Sequence, residues 1–350
     1  MLRVVILDKK DTSIEERVLG SLVPSTLVEG LDLRTQEAAL AHPALQTADV
    51  VVVWHTLQID AAMVAAMPQA RALVRVGVGY DNCDLAALAA AGIPVCNVPN
   101  YGTEEVADHA LSLLLCLLRR TIASSDAVKA GVEAHGSDGV ARVGKGTRRL
   151  RGLTLGLVGC GRIGTAMALR AKACGLDVVF YDPHAPAGLD KALGIRRAPT
   201  PLALAAQSHC VSAHCDLNPS SRHIINAEFL AAMPPLGFVV NTARGGVVQE
   251  GDLLASLLSG HTAGAGIDVH EKEPFVGTDA AQPLARAPNC INTPHSAFFS
   301  DEGWVEMREI AATSAAHALL GTPLANVVNA RLLLAQGRGA PRAPILAPRD

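Results

Sequence analysis

The sequence has no C-x-x-C pair and no Cys, His, Asp or Glu spacing suited to a metal, which sets aside zinc ribbons and dithiol redox centres. Its eight cysteines, at 83, 96, 116, 160, 174, 210, 215 and 290, sit mostly in apolar runs and read as buried free thiols of a reducing compartment. A net charge of −3 provides no field that would gather nucleic acid or an anionic membrane, and the basic cluster Arg148, Arg149 and Arg151 is local. The longest Leu-rich run, Leu111 to Leu118, is too short to cross a bilayer. The opening MLRVVILDKK enters a strand at once, without the architecture of a signal peptide. No internal repeat is evident. These absences lead us to expect a soluble, cytoplasmic protein with no nucleic-acid or membrane partner.

What is present is apolar material in short alternating segments. Hydrophobic residues make up 49% of the 350 positions and charged residues 18%, enough for about two domains. Apolar strand-like runs at Val4 to Leu7, Ala48 to Trp54, Leu73 to Val76 and Pro94 to Val98 alternate with helical segments. The helices include Ser13 to Leu19, with Ser13 and Glu16 as a capping box, Asp60 to Met67, and Asp84 to Ala91. Such alternation predicts a parallel sheet. Asn97, Pro99 and Asn100 then break the pattern as a hinge. The helix Thr103 to Arg120 follows, acidic at its start and basic at its end. Its apolar surface is wider than one stripe, which predicts burial on several sides, inside the domain or against a second subunit, and a homodimer interface is expected along it. Residues 123–150 lack periodicity, and irregular structure or a short helix is expected there.

The stretch Thr154 to Pro183 organises the rest. An apolar run, Leu155 to Val158, leads into Gly159, Gly161 and Gly164 in the spacing G-x-G-x-x-G. A helical pattern follows, with Ile163, Met167, Leu169 and Ala173 as candidate inward residues. A second run, Val178 to Tyr181, ends on Asp182. Strand, tight turn, helix, strand and acid together form a grip for a dinucleotide. The helix start, with its free N–H groups, faces the phosphates. Asp182 can accept bonds from a ribose 2′-hydroxyl and would repel a 2′-phosphate, which predicts NAD over NADP. Later strands are expected at Cys210 to Ala213, Gly237 to Asn241 and Ala263 to Val269, with a long helix at Gly303 to Leu319.

Three further stretches carry chemistry. In VVNTARGG a buried strand delivers Arg244 into a loop, where its planar fork suits a substrate carboxylate. In GIDVHEKEP a strand ends at Asp268, and Glu271 and Glu273 follow. In TPHS, His295 follows a proline and is presented rigidly. Reducing a 2-oxo acid with a nicotinamide needs a proton donor for the carbonyl oxygen and a cation for the carboxylate. His295 supplies the first, Glu273 tunes it, and Arg244 supplies the second.

These stretches resemble the D-isomer-specific 2-hydroxyacid dehydrogenase family, and within it the C-terminal-binding branch. The resemblance rests on VRVGVGYDN at 74–82, GIPVCNVPN at 92–100, EEVADHALSLLLCLLRR at 104–120, the dinucleotide stretch at 150–183, VNTARGGVV at 240–248, GIDVHEKEPF at 266–275 and TPHSAFFSDE at 293–302. It implies that Arg244, Glu273 and His295 are catalytic. It also implies that Gly159, Gly161, Arg162, Ile163, Gly164, Asp182, Thr242 and Asp268 contact NAD, with Asp268 near the nicotinamide amide. Arg75, Val76 and Gly77 match a loop that closes on the substrate carboxylate. Where the corepressor members carry a Trp after the catalytic His, this chain has Phe298 and Phe299.

The fold expected is therefore α/β and two-domain: a Rossmann-type NAD-binding domain, 99–300, inserted in a smaller flavodoxin-like substrate domain built from 1–98 and 301–330. A Pro- and Arg-rich tail, 331–350, is expected to lack order. The function expected is an NAD-dependent oxidoreductase acting on a small 2-oxo or D-2-hydroxy acid, as a homodimer. The alternative is an NAD(H)-regulated protein scaffold of the corepressor type.

Overall fold

The computed structural model describes residues 1–132, 135–273, 283–287, 289–335 and 341–346. They form two compact units, Met1–Gly102 with Ser300–Asp350, and Thr103–Phe299.

The first unit opens with β1 (Arg3–Ile6), α1 (Ser13–Leu22), β2 (Leu27–Gly30), α2 (Gln36–Ala41), α3 (Ala44–Thr47), β3 (Val50–Val53), α4 (Ala61–Ala65), β4 (Ala72–Arg75), α5 (Leu85–Ala90) and β5 (Val95–Cys96). The strands make one parallel sheet in the order β2-β1-β3-β4-β5. Side chains alternate across it, so Val5, Val51, Val53, Leu73 and Val95 pack on one face against Leu45, Met63, Met67 and Leu88. Asp60 and Asp84 cap α4 and α5, accepting bonds from the backbone N–H groups of Met63 and Ala87. The expected Ser13 cap is displaced by one residue. Thr12 is the N-cap of α1, and its hydroxyl bonds the Glu16 carboxylate rather than the backbone.

The second unit holds α6 (Thr103–Arg119), α7 (Thr121–Lys129), α8 (Gly136–Val143), β6 (Thr154–Val158), α9 (Arg162–Ala173), β7 (Asp177–Tyr181), α10 (Leu189–Leu193) and β8 (Arg196–Arg197). It continues through α11 (Pro201–Ala205), β9 (Cys210–Ala213), α12 (Ala227–Ala232), β10 (Gly237–Asn241), α13 (Glu250–Ser259), β11 (Thr262–Ile267) and β12 (Cys290–Asn292). All seven strands are parallel, in the order β12-β11-β10-β9-β6-β7-β8. Leu155, Leu157, Phe180 and Val240 face α6 and α9, while Val158, Val179, Val211 and Val239 face α11 to α13. Each fully buried Leu or Phe here adds roughly 1.5–3 kcal/mol. The segment 123–150, where irregular structure or a short helix is expected, holds most of α7 and all of α8, both short.

One detail departs from the sequence pattern. The buried stripe of α9 is Gly164, Met167, Ala168 and Ala171, at i, i+3, i+4 and i+7, whereas Leu169 and Ala173 face solvent. The width of apolar surface on α6 is consumed largely within the unit, where Leu113, Leu114, Leu117 and Leu118 are buried against α9, β10 and β11.

The chain returns to the first unit with α14 (Asp301–Leu320), capped by the Ser300 hydroxyl, and α15 (Ala330–Ala335). Helix α14 packs on α1, β3 and β4. Arg308 fixes it there: its buried guanidinium bonds Glu15 at 2.8 Å and Asp11 at 2.8 Å. Lys9, just past β1, lies with its ammonium 4.8 Å from the Trp304 ring centre, and Trp304 packs on Trp54. Within the tail 331–350, residues 331–335 complete α15 and Ile345 bridges Leu324, with Leu333 and Ala343 buried. Residues 336–340 and 347–350 lie outside the described residues, as do Pro274 and Phe275.

Candidate active site

Strand β6 has β7 on one side and β9 on the other, so the chain reverses direction across the sheet at the carboxyl ends of β6 and β9. In open parallel sheets that reversal is where ligands bind. The G-x-G-x-x-G turn lies there. Gly159 holds φ +93°, and a Cβ on it would fall 2.7 Å from the His214 carbonyl oxygen beyond β9. A Cβ on Gly164 would strike the Gly159 carbonyl oxygen at 2.4 Å, which fixes how closely α9 meets the turn. A Cβ on Gly161 would meet nothing within 4 Å. Gly161 is the N-cap of α9 and offers no side chain to its first N–H groups, so these are left for an anion.

Asp182 ends β7 as the sequence suggested and does more than wait for a ribose. One oxygen accepts from the Cys160 N–H at 2.9 Å, inside the glycine turn, and the other from His184 N–H at 2.8 Å and Ala185 N–H at 3.1 Å. The acid thereby locks the turn to β7 while keeping lone pairs for a further donor. At the end of β10, Thr242 is buried, and its hydroxyl has no partner among the described residues. A dinucleotide fits this set: an open glycine cradle, a helix start without a cap, an acid one strand away and an unpaired hydroxyl.

His214 closes the floor of the turn. Its Nδ1 is shut off from solvent without a partner among the described residues, its Nε2 lies 2.9 Å from the Ser212 hydroxyl, and burial pushes its pKa down to about 4. The ring is therefore neutral near pH 7.

The three residues read as catalytic stand at the carboxyl ends of β10, β11 and β12. Asn241, buried at the end of β10, accepts from the Ala243 N–H at 3.1 Å and donates to the Arg244 carbonyl at 2.9 Å. This Asx-type turn sets where Arg244 leaves the strand. The Arg244 guanidinium also donates to the Ala243 carbonyl at 2.8 Å. Glu273 and His295 meet directly, Oε2 to Nδ1 at 2.8 Å.

His295 has φ +53°, a left-handed conformation that costs a histidine about 1–3 kcal/mol. Asp268 supplies the restraint. Its carboxylate, 1% exposed, accepts from the Thr293 hydroxyl at 2.5 Å, the Ser296 N–H at 2.9 Å and the Ala297 N–H at 3.0 Å. Its carbonyl accepts the His295 N–H at 2.8 Å. His109, reaching in from α6, meets Thr293 at 3.1 Å. Sequence reasoning missed His109 and Asn241. An Asn ending a buried strand is a legible turn signal, whereas a lone His within a Leu-rich helix is not. Phe298 stands edge-on to His295, ring centres 6.2 Å apart.

Arg75, Val76 and Gly77 belong to the first unit, at the carboxyl end of β4. Arg75 is buried, its Nε bonding Asn82 at 3.4 Å, and Asn82 in turn donates to the Trp54 and Leu57 carbonyls. Among the described residues no metal-holding cluster occurs and no helix is long and apolar enough to cross a membrane. All eight cysteines are free.

This edge of the second sheet is that of a nicotinamide-dependent oxidoreductase. Residues 111–297 match the family described as D-isomer specific 2-hydroxyacid dehydrogenase, NAD binding domain. The chain is 36% identical over 318 residues to C-terminal-binding protein 1 of Caenorhabditis elegans, covering 91% of this chain and 43% of that protein. It is also 36% identical over 281 residues to glyoxylate reductase of Korarchaeum cryptofilum, 80% of this chain and 82% of that one. The holo form of Rhodotorula graminis D-mandelate dehydrogenase superposes with a TM-score of 0.81 at 28% identity, covering 93% of this chain and 96% of that structure. The chain belongs to the D-isomer specific 2-hydroxyacid dehydrogenase family, and its second unit is the family's NAD-binding domain.

Proposed function

We propose that the protein is an NAD-dependent dehydrogenase exchanging a small 2-oxo acid and its D-2-hydroxy acid. The observation that carries this is the 2.8 Å contact between His295 and Glu273 at the same sheet edge as the glycine turn. A bound nicotinamide supplies or takes the hydride. His295, through the ring nitrogen not facing Glu273, gives a proton to the substrate oxygen in one direction and takes it back in the other. Glu273 fixes the tautomer and orientation of the ring. Arg244 holds the carboxylate. Arg75, Val76 and Gly77 are further substrate contacts, and Gly159, Gly161, Arg162, Ile163, Gly164, Asp182, Thr242 and Asp268 serve the cofactor. The relatives named glyoxylate reductase and D-mandelate dehydrogenase support this substrate class. The scaffold alternative draws on a relative of whose length the chain spans only 43%. Incubating the protein with NADH and 2-oxo acids of increasing side-chain size tests the reading: nicotinamide absorbance should fall with at least one acid, and no loss with any overturns it.

The protein is also proposed to be a cytoplasmic homodimer. Eight free thiols suit a reducing compartment. Among the exposed apolar side chains are Ile122, Val128 (62% exposed), Val132 and Val140, all shortly after α6, and they would extend the expected interface from α6 along α7 and α8. Sedimentation with NAD should give a dimer, and a monomer at micromolar concentration contradicts it.

A further inference from the structure

The side chains of His295 and Glu273 are 29% and 31% exposed, and an ion pair so open contributes only about 0–1 kcal/mol. That is too little to hold a strained histidine and a loop carboxylate in one geometry, so the order must come from elsewhere. The segment carrying Glu273 is gripped from two sides. From α13, the Glu250 Oε1 accepts the Glu271 N–H at 3.0 Å and lies 2.9 Å from Nδ1 of His270, whose side chain is 1% exposed. The Glu271 carboxylate reaches back to the Glu250 N–H at 3.4 Å and outward to His223 at 2.5 Å. The His270 N–H donates to Oε1 of Glu273 at 3.2 Å, leaving Oε2 for His295. On the other side, the turn that carries Arg244 lies flat on the 270–271 peptide. A Cβ on Gly245 would fall 2.0 Å from the His270 carbonyl carbon.

We propose that Glu250 and His270 are positioning residues. Through a hydrogen-bonded pair they fix the 270–273 backbone, which aims the Glu273 carboxylate at His295. The proposal rests on the acid–base reading of the dyad. Glu250 is free for this task because α13 is capped by Gln249, which accepts the Asp252 N–H.

The test is steady-state kinetics with the 2-oxo acid and NADH, together with NADH binding by fluorescence. Glu250→Ala should lower kcat by about tenfold or more, with a smaller change in KM and unchanged NADH affinity. Glu250→Gln, which keeps the acceptor oxygen, should stay within about twofold of the unaltered protein. In a Glu273→Gln background, Glu250→Ala should cause little further loss, because both act through the same carboxylate. If Glu250→Ala does not fold, His270→Leu against His270→Asn makes the same comparison, since Asn keeps a donor near the Nδ1 position. A Glu250→Ala kcat within about twofold of normal overturns the proposal, as does a loss that adds in full to that of Glu273→Gln. If Glu273→Gln lowers kcat and the Glu250 and His270 variants do not, the positioning role alone fails. If Glu273→Gln itself leaves kcat intact, the acid–base reading falls and takes this proposal with it.

Discussion

The Oε2 of Glu273 lies 2.8 Å from Nδ1 of His295, which makes the opposite ring nitrogen the one proposed to meet substrate. A carboxylate in that place orients the ring and stabilises the imidazolium formed when the hydroxy acid is oxidised. Glu273→Gln keeps the shape and a hydrogen-bonding group but loses the charge. It should lower kcat by about 10–10²-fold while NADH binding is kept, measured by steady-state rates and nicotinamide fluorescence. Unchanged turnover would show that the imidazole works without its partner.

Asp182 gives a prediction about the cofactor. Its carboxylate ties Cys160 to β7 and sits where a 2′-phosphate would bring more negative charge. The protein should use NADH with a kcat/KM at least about tenfold above that for NADPH, a difference of about 1.4 kcal/mol. Asp182→Ala should narrow that ratio and weaken both cofactors, because the Cys160 N–H of the glycine turn loses its acceptor, as do the His184 and Ala185 N–H groups just after β7. Equal use of the two cofactors by the unaltered protein contradicts the assignment.

His214 links stability to pH. Its folded pKa of about 4 lies below the unfolded value of about 6.5, so between those two pH values the unfolded chain holds the extra proton. Stability should therefore be lost as pH falls from about 6.5, with the loss ending near 4. Urea unfolding at pH 7, 5.5 and 4.5 should show His214→Gln losing less stability than the unaltered protein over that range. A parallel decline in the two proteins would mean that another group drives it.

The sequence was most legible where burial was complete. Among the described residues, nine strands were readable as apolar runs; Leu27–Gly30 and Arg196–Arg197 were not, Cys290–Asn292 was marked only by Ile291 ahead of His295, and all three lie at sheet edges. Half-exposed edges carry residues such as Arg196 and Arg197 that no hydrophobic pattern reveals. Arg244, Glu273 and His295 stand out in their motifs and in the chemistry a 2-oxo acid needs, and the structure brings Glu273 and His295 into contact. The contacts of Asp268, Glu250 and His270 were not legible, because they are hydrogen bonds between segments far apart in sequence. Local pattern also misled in α9, where the stripe could begin at Ile163 or Gly164, and only the packed helix shows that the glycine row faces the sheet.

His295 is the proposed proton carrier, and His295→Asn removes that capacity with the least disturbance. Asparagine tolerates the left-handed backbone at this position, so the loop need not rearrange, yet its amide cannot exchange a proton near neutral pH. Turnover of the best 2-oxo acid by NADH, followed at the nicotinamide absorbance, should fall by about 10²–10⁴-fold with NADH affinity unchanged. A His295→Asn variant that turns over at a near-normal rate would mean that another group supplies the proton.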